Sequence, residues 1–315
     1  MTASAPLVTV IVPGRDVAAY APAAIDSLRA QTESRWRAIL IDDGSTDETG
    51  AIFADAAASD SRFRMLRHEA SVGLGAARNV GLSLVDTEYV GFLDADDQFD
   101  PAALARFTET LAETGSDFAA AAYVRTRYDG ERYIAGRVQP WVAAATDPAR
   151  LGTTIFEHPL ASANIVAWSK ISRTAFWADL RFPEGVAYED QIVAQQMYTR
   201  ARAFDVFPDV AVRWRLRADG SSITQGKAAL PVLRDYLAAL RGGIRVLHDA
   251  GAAAAVTARL ELILSMDVPP LQEIAGAHSD PAYAAEVTAF MDELRAYPEF
   301  TEAHPDPTLS AALSW

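Results

Sequence analysis

The chain opens on an unbroken apolar and β-branched run, Leu7-Val8-Thr9-Val10-Ile11-Val12, closed by Pro13-Gly14. That pattern predicts a strand buried on both faces. Shorter apolar runs follow at Ala38 to Ile41, Phe63 to Leu66 and Tyr89 to Leu93. Between them, apolar residues recur at helical spacing: Ile25 and Leu28 with Trp36 as a looser continuation, then Asp47 to Ala58, then Gly75 to Leu84. Continuous apolar strands alternating with helices predict an α/β, Rossmann-like fold, with a mostly parallel sheet covered by helices on both faces.

Beyond Pro101 the pattern predicts a helix to about Thr114, a strand over Phe118 to Arg127 and a turn at Asp129-Gly130. A strand-like segment at Ile165 to Ile171 precedes a short helix at Thr174 to Ala178 and a helix starting near Glu189. A last strand, Val210 to Leu216, runs into the polar loop from Arg217 to Ser222. From Gly226 the character changes. Leu230, Leu233, Leu237, Leu240, Ile244 and Leu247 form a narrow apolar stripe on one helix, with Gly251 as its C-cap. A second Ala/Leu-rich helix reaches about Met266 and stops at Pro269-Pro270, and the remainder reads as acidic and short-helical. The stripe has two readings: it packs on the preceding domain, or it joins copies of the chain into a homo-oligomer through residues 230–247.

Composition narrows the function. The sequence has 315 residues, enough for one large domain or two ordinary ones. It has no cysteine, which removes disulfides, thiolate nucleophiles and Cys-ligated metals. A formal net charge of -14 argues against a nucleic-acid partner, whose binding depends on neutralising phosphates. No stretch is long and apolar enough for a transmembrane segment, and Met1 to Pro6 lacks signal-peptide character. The chain therefore reads as cytoplasmic, with work at the inner face of the membrane open to it. A polyanionic acceptor would have to meet a local basic patch, for which Arg213, Arg215 and Arg217 are the candidates.

The candidate chemistry sits where the strands end. In open α/β sheets, ligands bind beyond the carboxyl ends of the strands. Three such ends carry polar clusters: Gly14-Arg15-Asp16, Asp42 to Asp47, and Asp94-Ala95-Asp96-Asp97. Closely spaced carboxylates after an apolar strand suit Mg2+ or Mn2+ bound together with substrate phosphates. Asp43 is placed to accept hydrogen bonds from a nucleobase or ribose. Gly73-Leu74-Gly75-Ala76-Ala77-Arg78 is not a dinucleotide fingerprint, because Arg78 stands where the third glycine belongs. It reads as a tight turn into a helix. Arg78 then either faces a diphosphate or clamps a carboxylate. Glu189-Asp190 at a helix start reads as a cap or as the site of a general base.

In order, Val10-Ile11-Val12-Pro13, Asp42-Asp43-Gly44-Ser45-Thr46-Asp47, Gly73 with Ala77-Arg78-Asn79 and Gly81, Phe92-Leu93-Asp94-Ala95-Asp96-Asp97, and Glu189-Asp190 resemble the motifs of family 2 glycosyltransferases. The resemblance implies a GT-A catalytic domain over residues 1–225, a C-terminal α-helical extension over 226–315, and inversion at the anomeric carbon. It assigns Pro13, Arg15, Asp16, Asp43, Arg78, Asp94, Ala95, Arg217 and Ser222 to the nucleotide-sugar donor, usually a UDP-sugar. Asp96 becomes the ligand of Mn2+ or Mg2+, and Asp190 the catalytic base, with Glu189 and Trp168 beside the acceptor or sugar. Trp168-Ser169-Lys170 and Phe182-Pro183-Glu184-Gly185 resemble bacterial members that build capsule or modify wall teichoic acid, which implies a glycan or polyol-phosphate acceptor. Arg15 and Asp16 stand where the family usually has an aromatic residue and Asn; a guanidinium can also stack on a base. The competing readings are a sugar-phosphate nucleotidyltransferase, which needs a Gly-rich basic loop after the first strand, and a GT-A binding module without activity.

Overall fold

The computed structural model of the protein describes residues 5–217 and 226–306. The strands are β1 (Val8–Gly14), β2 (Trp36–Asp43), β3 (Phe63–His68), β4 (Tyr89–Phe92), β5 (Gln98–Phe99), β6 (Phe118–Tyr128), β7 (Tyr133–Val138), β8 (Arg150–Thr153), β9 (Lys170–Arg173) and β10 (Phe204–Arg215). The α-helices are α1 (Ala21–Arg29), α2 (Thr49–Ser59), α3 (Leu74–Leu82), α4 (Ala103–Thr114), α5 (Pro140–Thr146), α6 (Asp190–Arg200), α7 (Leu230–Asp249), α8 (Ala253–Leu262), α9 (Val268–Ala277) and α10 (Pro281–Arg295). The sheet runs β3-β2-β1-β4-β9-β6-β10-β5, with β7 beside β6 and β8 beside β10. Its first four strands are mutually parallel, as the alternating pattern requires. β9 is antiparallel to both β4 and β6, and it joins the parallel half to the rest.

Several expectations are corrected. Trp36 does not extend a helix; it opens β2, with its ring buried edge-on against Phe63. Ile165 to Ile171 is not a strand throughout. The chain curls around the buried ammonium of Lys170, which donates to the carbonyls of Asn164 (2.7 Å) and Val166 (2.8 Å), and it extends only from Lys170. The last strand starts earlier, at Phe204, because Pro208-Asp209 is absorbed in a bulge between Phe207 and Val210. Pro269 and Pro270 do not end a helix. They occupy the first turn of α9, where a missing N–H costs nothing, after a π-helical turn at Ile263–Asp267. The tail contains the 15-residue α10.

The leucine stripe of α7 is covered within the chain. Leu233, Leu237 and Ile244 are fully buried, and α7 lies against α6. The two helices approach so closely at Gly242 that a Cβ there would meet Ile192 Cδ1 at 2.5 Å. A stripe already occupied in this way is not available for the self-association reading. One continuous hydrophobic core takes in Val10 and Leu40 of the sheet together with Leu237, Leu260 and Phe290 of the C-terminal helices. Among the described residues, no helix is long and apolar enough to cross a membrane. Truncating Leu237 to Ala should lower stability by about 2–5 kcal/mol, the usual loss for a buried leucine. A denaturant midpoint that does not move would show that α7 is not part of the cooperative core.

Candidate active site

Because β1, β2 and β4 are parallel neighbours, their trailing loops meet at one edge. Short bonds stitch the β1 and β2 loops together. Asp16, held at φ 50°, accepts from the backbone N–H (2.8 Å) and hydroxyl (3.1 Å) of Thr46. Its own N–H donates to Ser45 Oγ (3.1 Å), and the next N–H, of Val17, donates to Thr49 Oγ1 (2.8 Å). Asp16 is thus occupied in joining the two loops. Arg15 projects from the same turn with its side chain 57 % exposed, 3.6 Å from Asp16. On the other side, Ala95 N–H donates to the Pro13 carbonyl (3.2 Å), so Pro13 and Ala95 lie in the floor.

Asp43, at the end of β2, is 4 % exposed and organises the following loop. Its Oδ1 meets His68 Nδ1 (2.8 Å) and the Val72 N–H (2.9 Å), while Oδ2 accepts from Ser71 Oγ (2.6 Å) and the Gly73 N–H (3.0 Å). Burial pushes its pKa up, but these hydrogen bonds outweigh it and hold the carboxyl below its ordinary range. A carboxylate has about four acceptor positions. Direct contact with a nucleobase therefore requires one donor to turn away, and the Ser71 hydroxyl is the rotatable one.

Arg78 is the hub. It enters from α3, is 1 % exposed, and lies against the edge-to-face pair of Phe92 and Phe182. Nη2 donates to Asp94 Oδ1 (2.6 Å) and Nη1 to Glu189 Oε1, tying the end of β4 to the start of α6. Of its two readings, the carboxylate clamp is the one seen. Burial opposes its charge, but Asp94, Glu189 and Asp190 more than restore it and raise its pKa. α3 also grips the segment before α6: Asn79 exchanges bonds with the Phe182 carbonyl and N–H, both 2.9 Å. A Cβ on Gly75 would collide with the Pro183 carbonyl, so this close approach needs glycine.

Asp94, Asp96 and Asp97 each offer an oxygen within 4.8 Å of the others. Their environments differ. Asp97 is 1 % exposed and accepts the Arg215 N–H (2.8 Å); burial, with Asp96 and Asp94 nearby, raises its pKa well above the usual range. Asp96 carries Arg217 on Oδ2, with Nε at 2.8 Å. Hard oxygen donors in this arrangement fit Mn2+ or Mg2+.

Asp190 opens α6 and accepts no hydrogen bond from any described residue. Burial raises its pKa to about 7, helped by Glu189 and opposed by Arg78. It lines a small interior cavity with Lys170, whose pKa burial lowers to about 7. The preceding Tyr188 is held at φ 60°, a strained conformation for a side chain of this size.

Two site expectations are corrected. Trp168 does not face a sugar. It is 4 % exposed and packs edge-on against Tyr123 with ring centroids 4.8 Å apart, because an indole there completes the core under β6. The patch Arg213, Arg215 and Arg217 is spent internally: Arg213 pairs with Asp100 (3.4 Å), Arg215 bonds the carbonyls of Asp96 and Tyr20, and Arg217 pairs with Asp96. Ser222 lies outside the described residues. The sequence reading did not find Tyr20, whose ring lies under Arg215 and Arg217, or the part played by Lys170.

Residues 9–164 match the model of glycosyl transferase family 2. The chain carries a family 2 glycosyltransferase domain. It is similar to the uncharacterized glycosyltransferase EpsJ of Bacillus subtilis, 36 % identical over 129 residues, which are 41 % of this chain and 37 % of EpsJ. Glycosyltransferase GlyG of Streptococcus pneumoniae is 25 % identical over 237 residues, 73 % of this chain and 77 % of GlyG. The chain thus spans little more than a third of EpsJ and most of GlyG. Among solved structures, S. aureus TarS 1-349 in complex with UDP-GlcNAc superposes with a TM-score of 0.70 at 19 % identity, over 98 % of this chain and 91 % of that one. That likeness establishes the GT-A fold. Glu189 and Asp190 lie beyond the matched family 2 segment, and Arg78 ties them to it.

If Arg78 holds the two halves together, Arg78→Met should destabilise the protein by about 3–5 kcal/mol, since it leaves buried carboxylates unpaired. Arg78→Lys should recover only part, because an ammonium cannot reproduce the two-pronged bridge. Chemical unfolding of both variants checks this; equal stability of Arg78→Met and the wild type would remove the clamp.

Proposed function

We propose that the protein is a metal-dependent, inverting glycosyltransferase that moves a sugar from a nucleotide-diphosphate donor, a UDP-sugar, onto an acceptor hydroxyl. The observation that carries this reading is the Arg78 bridge. It sets a strand-end carboxylate cluster and the half-buried Asp190 carboxylate at a helix start on either side of one guanidinium. A single displacement needs negative charge to be managed at the leaving group on one side and a base on the other. The TarS complexes contain UDP-GlcNAc or UDP, and a mannosyltransferase of Pyrobaculum calidifontis with TM-score 0.57 was solved with GDP-Man and Mn2+. These complexes support a nucleotide sugar as the donor class.

In this mechanism the nucleotide lies across the β1 and β2 loops, against Arg15 and Asp16, with Asp43 shaping the wall through residues 68–73. Asp94 and Ala95 line the ribose–phosphate side, and Arg217, beside the cluster through its pairing with Asp96, turns to the diphosphate when the donor binds. Asp96 would hold Mn2+ or Mg2+, which would supply positive charge against the diphosphate leaving group. Asp190 accepts the proton of the acceptor hydroxyl, and the oxygen attacks the anomeric carbon from the face opposite the diphosphate. Glu189 fixes the entry of α6 through Arg78. The acceptor is a cell-surface polysaccharide or a teichoic-acid-like polymer, glycosylated at the cytoplasmic face of the membrane.

A base poised near neutrality is half-protonated at its working pH, which suits proton abstraction. Asp190 is active as the carboxylate, so kcat/KM should fall with unit slope as pH drops below about 7. Asp190→Asn should lower kcat by roughly 10²–10⁴ while leaving donor binding nearly intact. A variant with wild-type kcat would exclude Asp190 as the base. The wider test is a screen of nucleotide sugars for hydrolysis that requires Mn2+ or Mg2+. Turnover should appear with one donor class and vanish in Asp96→Asn; absence of metal-dependent turnover with every donor would sink the reading.

A further inference from the structure

Around the proposed base, the chain's arginines are nearly all spent. Arg78 is divided between Asp94 and Glu189, Arg217 pairs with Asp96, and Arg259 donates to Gln191 Oε1 at 2.8 Å. Arg125 is the exception. Its guanidinium lies 4.9 Å from the ring of Trp214 and 5.5 Å from that of Trp141. It pairs with no carboxylate among the described residues, and its Nε is buried without a hydrogen-bond partner. Lys227 is in the same position. Its ammonium sits 3.8 Å from the Tyr236 ring and 5.9 Å from the Tyr188 ring, with no ion pair to a described residue.

Burial lowers the pKa of both cations. At Lys227 the charge of Asp267, which accepts the Tyr236 hydroxyl, opposes this, and the charge of Arg125 adds to it. Like charges in a partly dry site repel each other, and an uncompensated buried charge is strongly unfavourable. A chain of net charge -14 has carboxylates to spare, yet among the described residues none forms an ion pair with Arg125 or Lys227. The place also adjoins the base: Tyr188 stands two positions before Asp190, and the Tyr123 hydroxyl feels Arg125, Asp190 and Arg259 together. The two indoles lie against the guanidinium, whose N–H groups form a planar fork matched to the two oxygens of a phosphodiester or carboxylate.

We propose that Arg125, held by Trp141 and Trp214, and Lys227 form an oxyanion subsite for the acceptor, so that the preferred acceptor is a glycopolymer carrying a negative charge close to its reacting hydroxyl. This rests on the glycosyltransferase reading and narrows it to a substrate class. Arg125 is a specificity residue in this account. It orders the charged group and takes no part in the proton transfer.

The test pairs matched acceptor oligomers: a polyol phosphate, a uronate-containing glycan, and a neutral glycan of equal length. Wild type should favour one of the charged pair over the neutral glycan by at least about 10-fold in kcat/KM, with acceptor KM rising as salt screens the contact. Arg125→Gln should erase most of that preference through acceptor KM and flatten its salt dependence, and Arg125→Lys should keep part of it. Quenching of tryptophan fluorescence by the charged oligomer should weaken in parallel, which reports binding apart from turnover. A circular-dichroism melt of Arg125→Gln separates lost binding from lost fold; if that variant unfolds, Lys227→Gln carries the same comparison. Which charged oligomer wins decides between phosphodiester and carboxylate. Metal-dependent donor hydrolysis by wild type with no charge preference overturns the subsite alone; no donor turnover at all overturns both readings.

Discussion

A single guanidinium holds the two chemical halves of this protein in register. Arg78 donates to Asp94 at the end of β4 and to Glu189 at the start of α6, residues that are far apart in sequence and on different elements. Desolvating three charged groups together is favourable only when the geometry is good and the hydrogen bonds are made. Here α3 is brought down by Asn79 and by the absence of a side chain at Gly75, and the rings of Phe92 and Phe182 line the path of Arg78. The position of the Asp94–Asp97 cluster relative to Asp190 follows from that clamp.

The parallel half of the sheet was legible because β1, β4 and the centre of β2 from Ala38 to Ile41 are largely apolar and buried, and strands covered on both faces read as continuous hydrophobic runs. β3, at the sheet edge, carries Arg64, Arg67 and His68 and was marked only by its short stretch from Phe63 to Leu66. The strand-end clusters were legible for the same reason, since the polar residues begin where burial stops. What was not legible depended on contacts between segments distant in sequence. Trp168 reads as a free aromatic until Tyr123 and Trp214 close around it. Arg213, Arg215 and Arg217 read as a basic patch, yet each is paired with or bonded to the β4–β5 region, which only the sheet order places alongside. Pro269 and Pro270 read as a stop, and the π-helical turn before them made them a start.

The same dependence on distant contacts explains why Arg78 had two readings and Asp43 only one. A lone arginine on a short helix can point at a ligand or at a carboxylate, and only the return of the chain at Glu189 decides. Asp43 sits at the end of a buried strand before a turn, so its place at the edge where the strand-end loops meet was readable. That four donors from His68 to Gly73 would fill its oxygens was not, because the β3–α3 loop has no strong pattern of its own.

The C-terminal helices bear on Asp190 as directly as the sheet does. The residues around Asp190 are fastened to them one after another: the Ala187 N–H donates to Asp235 Oδ2 at 3.1 Å, the Tyr188 ring lies against Tyr236, and Gln191 accepts from Arg259. Tyr188 keeps a positive φ that an isolated chain would abandon, and a strained backbone persists only where its surroundings over-determine it. α7 and α8 supply those surroundings. A segment that composition sets apart at Gly226 therefore behaves as the back-plate of the site. It fixes the first turn of α6 from behind while Arg78 fixes it from the front, and the half-buried Asp190 carboxylate between them has its pKa raised to about 7.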